Sequence, residues 1–288
     1  MPSLERHRVE GVTLLTDTCV GGGVTFAFTE RTGGVSRPPF ASLNLGSACG
    51  DDAACVAENR RRVLAALGAE PLLGSLVNPK QVHGDHVVVV RSCGAGDVAA
   101  AQAEAALGAD AVVCTAPDVP VLLCFADCVP VVLVAPGGFA VIHSGWRGTV
   151  ARIAAKAARV LCEEASCAPD ELVAYVGPHV LARDYEVSEE LAERFSAEFG
   201  AGALFSPRHL DLSACLARTF EEAGIASERV AWCEDSTASS TERFFSYRAE
   251  KGSCGRHGVV ALMRERGWDW PADSKPADSN KDEGEARL

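Results

Sequence analysis

A thiol and an imidazole interrupt two of the most apolar stretches of the chain. In CFADCVPVVLVAPGGFAVIHSGWRGT, residues 124–149, Asp127-Cys128 and His143 stand where buried strands would carry more valine. A second imidazole, His83, lies in a Gln-Val-His-Gly turn just before VVVV. Two imidazoles and one thiolate suit zinc with a fourth position open to water or substrate, whereas structural zinc sites close all four positions with protein. The same cysteine with either histidine also makes a nucleophile–base pair. Spacing does not choose between them, because these separations match no compact metal motif. Their neighbours favour function over incidental core: Asp127 adjoins the thiol and Arg147 follows His143, and such groups are costly to bury unpaired.

Arg31, in TERTGGVSR, and Arg147 lead the candidates for binding an anion. Arg147 sits within Gly145-Trp146-Arg147-Gly148, between a strand end and a helix start, where free backbone N–H groups gather. Arg248 and Arg256, in SYRAEKGSCGRHG, stand behind them. His7, His86, His209 and His257 read as surface or structural residues, and His179, after Gly177-Pro178, as a turn histidine.

The elements that must position these groups follow from pattern. VTFAFTERTGGVSRPPFASLNLG is a strand leading into a Gly- and Pro-rich loop. DDAACVAENRRRVLAALGA predicts an amphipathic helix, capped by Asp51 or Asp52 and stopped at Gly68. A strand follows KQVHGDH, and then a weak Ala- and Gly-rich connector. ADAVVCT, VPVLLCFADC, VPVVLVA and FAVIHS predict four strands, with turns at Pro117-Asp118 and Pro136-Gly137-Gly138. Such Val-rich continuous runs fit strands covered on both faces. A helix is expected from near Thr149, with Val150, Ile153, Ala157 and Leu161 on one face. ELVAYVGPHV and RVAWCE read as strands, and SEELAERFSAEFG and LSACLARTFEEAGI as helices. RFFSYRAEKGSCGRHGVVALM closes the ordered chain. Residues 1–270 are expected to form one domain, and 271–288, almost devoid of apolar residues, a disordered acidic tail.

Composition bounds the function. At 288 residues, 48% hydrophobic and 23% charged, the chain is globular rather than disordered. A net charge of −12 argues against general nucleic-acid or anionic-membrane binding, while leaving room for a local basic pocket. No segment approaches a membrane span, and the N-terminus lacks a signal-like apolar run. The twelve cysteines are scattered without any CxxC pair, as expected of small core residues in a reducing cytoplasm.

Taken in order, TERTGGVSRPPFASLNLG, KQVHG, GADAVVCTAPDVPVLLCFADCVPVVL, VIHSGWRGT, YVGPHVLARDYEV, LDLSACLARTFEEAGI and FFSYRAEKGSCGR resemble the YfiH/LACC1 family. That family is described as polyphenol oxidases or laccase-like proteins, and also as purine nucleoside phosphorylases with adenosine deaminase activity. The resemblance spans about Phe26 to Met263. It implies an α+β fold, a four-layer α/β/β/α sandwich with mixed sheets. It implies His83, Cys128 and His143 as zinc ligands, and Arg31, Asn44, Gln81 and Arg147 as contacts to nucleoside and phosphate. Cys128, Asp127 and Arg147 are the catalytic candidates, with Asp127 either carrying a proton or supporting a histidine ligand. The chain departs from the family pattern at Ser144, Ala249, Cys254 and His179.

Three functions follow. A zinc-dependent purine nucleoside enzyme would cleave adenosine, inosine or methylthioadenosine with phosphate, and would deaminate adenosine. A copper-dependent polyphenol oxidase would accept the same three ligands, but a multicopper centre needs many more histidines, in His-x-His pairs that the chain lacks. A metal-free Cys–His hydrolase would use Cys128 and one histidine and leave the other without a task.

Overall fold

The computed structural model describes residues 1–264 and Trp270, so the expected tail at 271–288 lies outside the described residues. The first half of the chain forms β1 (Glu5–Val9), β2 (Val12–Thr16), β3 (Val24–Thr29), α1 (Ala53–Ala66), β4 (Val87–Val90) and α2 (Ala95–Leu107). The apolar centre follows as β5 (Ala111–Cys114), β6 (Val121–Phe125), β7 (Val129–Ala135) and β8 (Gly138–Ser144). Next come α3 (Trp146–Val150), α4 (Ile153–Ala165), β9 (Val173–Val176), α5 (Glu189–Phe199) and a small hairpin of β10 (Leu204–Ser206) and β11 (His209–Leu210). The last elements are α6 (Leu212–Glu222), β12 (Val230–Trp232) and β13 (His257–Met263).

Two sheets result. The first runs β1-β2-β3-β13-β6 and is antiparallel throughout. The second runs β12-β9-β7-β8-β5-β4 and is mixed, with parallel pairs at both edges. Their facing residues share one core: Phe26, Phe28, Leu123 and Val259 from the first sheet, and Val132, Phe139, Val141 and Tyr175 from the second. The outer face of the first sheet packs Leu14, Leu122 and Leu262 against Val63 and Leu64 of α1. The outer face of the second packs Leu133, Ile142 and Val176 against Ile153, Ala157 and Leu161 of α4, Phe195 of α5 and Phe220 of α6. Helix, sheet, sheet, helix is therefore the layer order, the α/β/β/α sandwich that the motifs implied. Strands buried on both faces explain why these runs are continuously apolar rather than alternating.

Local chemistry explains most boundaries. Asp52 caps α1 by accepting from Ala54 N at 2.8 Å, and the chain turns out of the helix through Gly68 at φ +62°. Two elements differ from the sequence expectation, and the β1–β2 hairpin lies where the pattern assigned no element. The Ala-rich connector is the helix α2, whose buried stripe of Val98, Ala101 and Ala105 is too small to give a clear apolar period. The helix expected from Thr149 begins at Trp146 and breaks at Arg152, which is left-handed, before α4 resumes. The β1–β2 hairpin turns on Glu10-Gly11, both at positive φ. That is the geometry of a tight hairpin without the usual Asn-Gly signature. Among the described residues no helix is long and apolar enough to cross a membrane, and all twelve cysteines are free thiols.

Candidate active site

β6 belongs to the first sheet and β7 to the second, so Ala126–Asp127–Cys128 carries the chain from one to the other. Asp127 makes the crossing at φ +85°. Cys128 is thereby held at the mouth of the inter-sheet core, half-buried. On β8, Phe139 and Val141 face that core, so His143, two residues further, faces it too. His83 completes a triangle from the loop before β4. The ligating atoms of His83, Cys128 and His143 all lie within 4.8 Å of one another. Cys128 Sγ is 3.7 Å from His83 Nε2, and the two imidazole rings meet edge to face at 4.8 Å. Gly145 permits this approach, because a Cβ there would lie 3.0 Å from both Cys128 Sγ and His83 Cδ2.

The donor chemistry fits a metal ion. Tetrahedral bonds of about 2.0–2.3 Å to nitrogen and sulfur separate ligand atoms by roughly 3.3–3.8 Å, and the sulfur–nitrogen distance here falls in that range. Asp110 accepts from His143 Nδ1 at 2.7 Å, which leaves Nε2 of that ring to face the triangle. Burial alone would raise the Cys128 thiol, but the His143 and His83 imidazoles outweigh it and bring it down to about 6. Burial also works against a charged His143, yet the Cys128 thiolate and the Asp110 carboxylate raise it to about 9. Burial alone would raise the Asp110 carboxyl too, but His143 and the Gly84 and Val82 amides hold it below the ordinary carboxylate range. Without metal, these opposed shifts favour a thiolate–imidazolium pair between about pH 6 and 9. Among the described residues the corner is the one group of three or more such ligands placed to hold an ion.

The triangle opens into a cavity of about 750 Å³, a size suited to a small organic ligand. Gln81 lines it and is fixed by a two-way bond with the Cys124 backbone, Nε2 donating to the carbonyl and Oε1 accepting from the amide, each at 2.8 Å. Lys80, Arg60, Arg248 and Arg256 also line it. Arg60 donates Nε and Nη2 to the Leu45 carbonyl, Arg256 donates Nη1 to the Cys254 and Gly255 carbonyls, and Arg248 donates Nη1 to the Glu186 carbonyl. None of these three guanidinium groups forms an ion pair with a carboxylate of the described residues. In a chain of net charge −12, such a cationic wall offers a local environment suited to an anion. Tyr185 and Tyr247 add two aromatic rings.

Other expected residues sit elsewhere. Arg31 is off the cavity wall. Its guanidinium is spent on the Ala41, Thr241 and Phe244 carbonyls and on Glu250, and lies 4.2 Å over the Phe245 ring. Asn44 is fully buried and clamps its own loop: Oδ1 accepts from Gly46 N and Arg256 N, and Nδ2 donates to Asp51. Arg147 is exposed at the start of α3 and stacks 4.4 Å over Trp146, outside the cavity lining. Asp127 lines the cavity but does not touch a histidine ligand. Its carboxylate accepts from Thr237 Oγ1, Ser246 Oγ and Arg248 N at 2.6–2.7 Å. The carboxylate that supports His143 is Asp110, which sequence reasoning did not single out, nor did it single out Arg60, Lys80, Tyr185 or Tyr247. One signal for Asp110 was available: it is a carboxylate immediately before an apolar strand, and β5 pairs with β8 in the register that brings it to His143. His179 is a buried turn residue bonded to Gly177 and Ser213.

A family model described as "Multi-copper polyphenol oxidoreductase laccase" matches residues 25–264. The chain belongs to this family. It is 36% identical over 251 residues to a protein of Deinococcus radiodurans named purine nucleoside phosphorylase, covering 85% of this chain and 91% of that protein. The Escherichia coli member, named purine nucleoside phosphorylase YfiH, is 35% identical over 240 residues, covering 80% of this chain and 90% of its own length. The crystal structure of YlmD from Geobacillus stearothermophilus superposes with a TM-score of 0.80 at 29% identity, over 92% of this chain and 100% of that one. The fold and the family implied by the motifs are thus those found. The relatives' names point to an enzyme of the nucleoside phosphorylase type.

Proposed function

We propose that this protein is a zinc-dependent purine nucleoside phosphorylase that also deaminates adenosine. The observation that carries the reading is a three-ligand corner, His83, Cys128 and His143, opening into a cavity walled by unpaired cations. When bound, zinc supplies Lewis acidity at that corner, the chemistry that attack of water on C6 of adenine requires. Phosphorolysis needs a phosphate oxygen to bond to C1′ as the C1′–N9 bond breaks, with the electron pair leaving on the base and a proton delivered to it. Lys80, Arg60, Arg248 and Arg256 offer charged donors to hold and orient that phosphate. Tyr185 and Tyr247 offer faces for the purine ring. Asp127 has its carboxylate committed to three donors, so its part is to hold the Arg248 loop against the site.

The test is a product assay on adenosine, inosine and methylthioadenosine, with and without phosphate, on zinc-loaded and chelated protein. Free base plus ribose 1-phosphate, or its methylthio analogue, should appear only with phosphate. Inosine plus ammonia should form from adenosine without phosphate. No base release from any of the three nucleosides by fully loaded protein removes the phosphorylase reading. Oxidation of a phenol by copper-loaded protein would restore the laccase reading, for which a single three-ligand corner is a poor basis.

One observation favours a second reading. Cys128 near pKa 6, His143 and Asp110 form a chain of nucleophile, base and orienting carboxylate. A covalent substrate adduct on Cys128 in chelated, active protein would establish it. Against it stands His83, 3.7 Å from the same sulfur with no task in such a mechanism.

A further inference from the structure

Three consecutive backbone amides in the Val82–Gly84 turn point at one carboxylate. Asp110 Oδ2 accepts from Val82 N at 3.2 Å and Gly84 N at 2.7 Å, and Oδ1 accepts from His83 N at 3.0 Å. The turn achieves this with His83 in the left-handed region, φ +59°. A left-handed residue in a turn brings successive N–H groups to one side, forming a concave nest for an anion. Here the anion is the chain's own, on a fully buried residue. Oδ1 also accepts from His143 Nδ1 at 2.7 Å, and the Asp110 carbonyl accepts from His143 N at 2.7 Å.

We propose that Asp110 is the positioning residue of the metal corner. One carboxylate fixes both the loop that carries His83 and the ring of His143, so that each presents Nε2 to the same ion beside Cys128 Sγ. The inference rests on the metal reading above. The reason is geometric. His83 and His143 are sixty residues apart on separate elements; the His143 ring is buried against Phe125, but the His83 loop is not fixed by packing alone, since His83 is exposed. A shared acceptor sets their relative placement through two short bonds. Holding the His143 Nδ1 proton also fixes the tautomer whose Nε2 lone pair is free.

Asp110→Asn separates this role from a generic loop clamp. An amide offers one acceptor oxygen and one donor NH₂. If the oxygen stays on His143 and His83, the NH₂ faces the Val82 and Gly84 N–H groups, donor against donor. Zinc affinity, measured by chelator competition on the full chain, should fall by about 10–100-fold. With cobalt(II) as probe, the visible bands that report coordination geometry should shift. Leu64→Ala, a core truncation against the outer face of the first sheet, should lower thermal stability and leave both readouts unchanged. If Asp110→Asn does not fold, ¹⁵N-resolved imidazole spectra of the zinc-loaded wild type decide: His143 should be protonated at Nδ1 and coordinated through Nε2. Wild-type zinc affinity and an unchanged cobalt spectrum in Asp110→Asn, or coordination through Nδ1, overturn the proposal alone. A wild-type chain that takes up neither metal overturns the metal reading, and this proposal with it.

Discussion

The two ends of the cavity are built differently. The ligand corner draws Cys128 and His143 from the ends of strands that pair directly, β7 with β8, and one buried carboxylate reaches across to the His83 loop. The cationic wall draws Arg60 from a helix and Lys80, Arg248 and Arg256 from outside the strands, and each guanidinium is held by backbone carbonyls. Strand ends locked by a hydrogen-bond ladder give fixed geometry, which a metal ion demands. Arginines on carbonyls keep donors to spare, which suits an anion that must arrive and leave. The corner should therefore fail completely when altered, and the wall by degrees.

The largest effect is expected from the ligands. His83→Ala, His143→Ala or Cys128→Ser should take zinc content from about one per chain to near zero. Activity should fall to background while the circular dichroism of the fold persists, because three large apolar layers remain. Elemental analysis showing full activity in a metal-free sample would break the contrast between corner and wall.

A second expectation uses the metal-free corner. Cys128 is lowered to about 6 and His143 raised to about 9. The depressed thiol contributes stability that is fully present above the ordinary cysteine range and is lost as pH falls through about 6. The raised imidazole contributes stability that is present below the ordinary histidine value and is lost as pH rises through about 9. Between these limits the two slopes oppose, since folded and unfolded chains each hold one proton on the pair. The melting temperature of the chelated protein should show little contribution from this pair between about pH 6.5 and 9. Alkylation of Cys128 should be half-maximal near pH 6, should move upward in His143→Ala, and should stop when zinc is added. A midpoint near the ordinary thiol value would separate the thiol from its imidazoles.

The wall predicts graded losses. Arg256→Ala should raise the phosphate concentration needed for half-maximal cleavage by about ten- to a hundred-fold, as removal of one charge-assisted bond of about 1.5–3 kcal/mol implies. Deamination should change far less. The smallest effect is expected at Arg147. Sequence reasoning places it at the anion, but the structure stacks it on Trp146 outside the cavity lining. Arg147→Ala should cost only the order of an exposed cation–π contact, about 0.5–1 kcal/mol of stability, with phosphate dependence unchanged. A loss as large as that of Arg256→Ala would return Arg147 to the site and sharpen the wall's boundary.

What the sequence by itself determined is a short roster of candidate groups, one thiol and two imidazoles, and the doubly covered strands around them. A thiol and an imidazole in valine-rich strands are conspicuous because burial excludes such groups unless they have a partner. The same excess of valine identified strands covered on both faces. What only the tertiary structure decided is which charges share a space. Arginine is an ordinary surface residue, and nothing in ENRRRV or CGRHG distinguishes Arg60 and Arg256 from Arg31. Their convergence depends on the Leu45 carbonyl and on Asn44 Oδ1 meeting the Arg256 amide across 212 positions of chain. Of the two roles expected for Asp127, carrying a proton or supporting a histidine ligand, the structure does not give it the second, for a related reason. Asp127 adjoins the thiol in sequence, but its turn at φ +85° directs it to Thr237 and Ser246. Asp110 reaches His143 only through the pairing of β5 with β8. Local pattern reveals what a residue must avoid, whereas strand register and loop packing, set by hydrogen bonds between distant segments, decide what it meets.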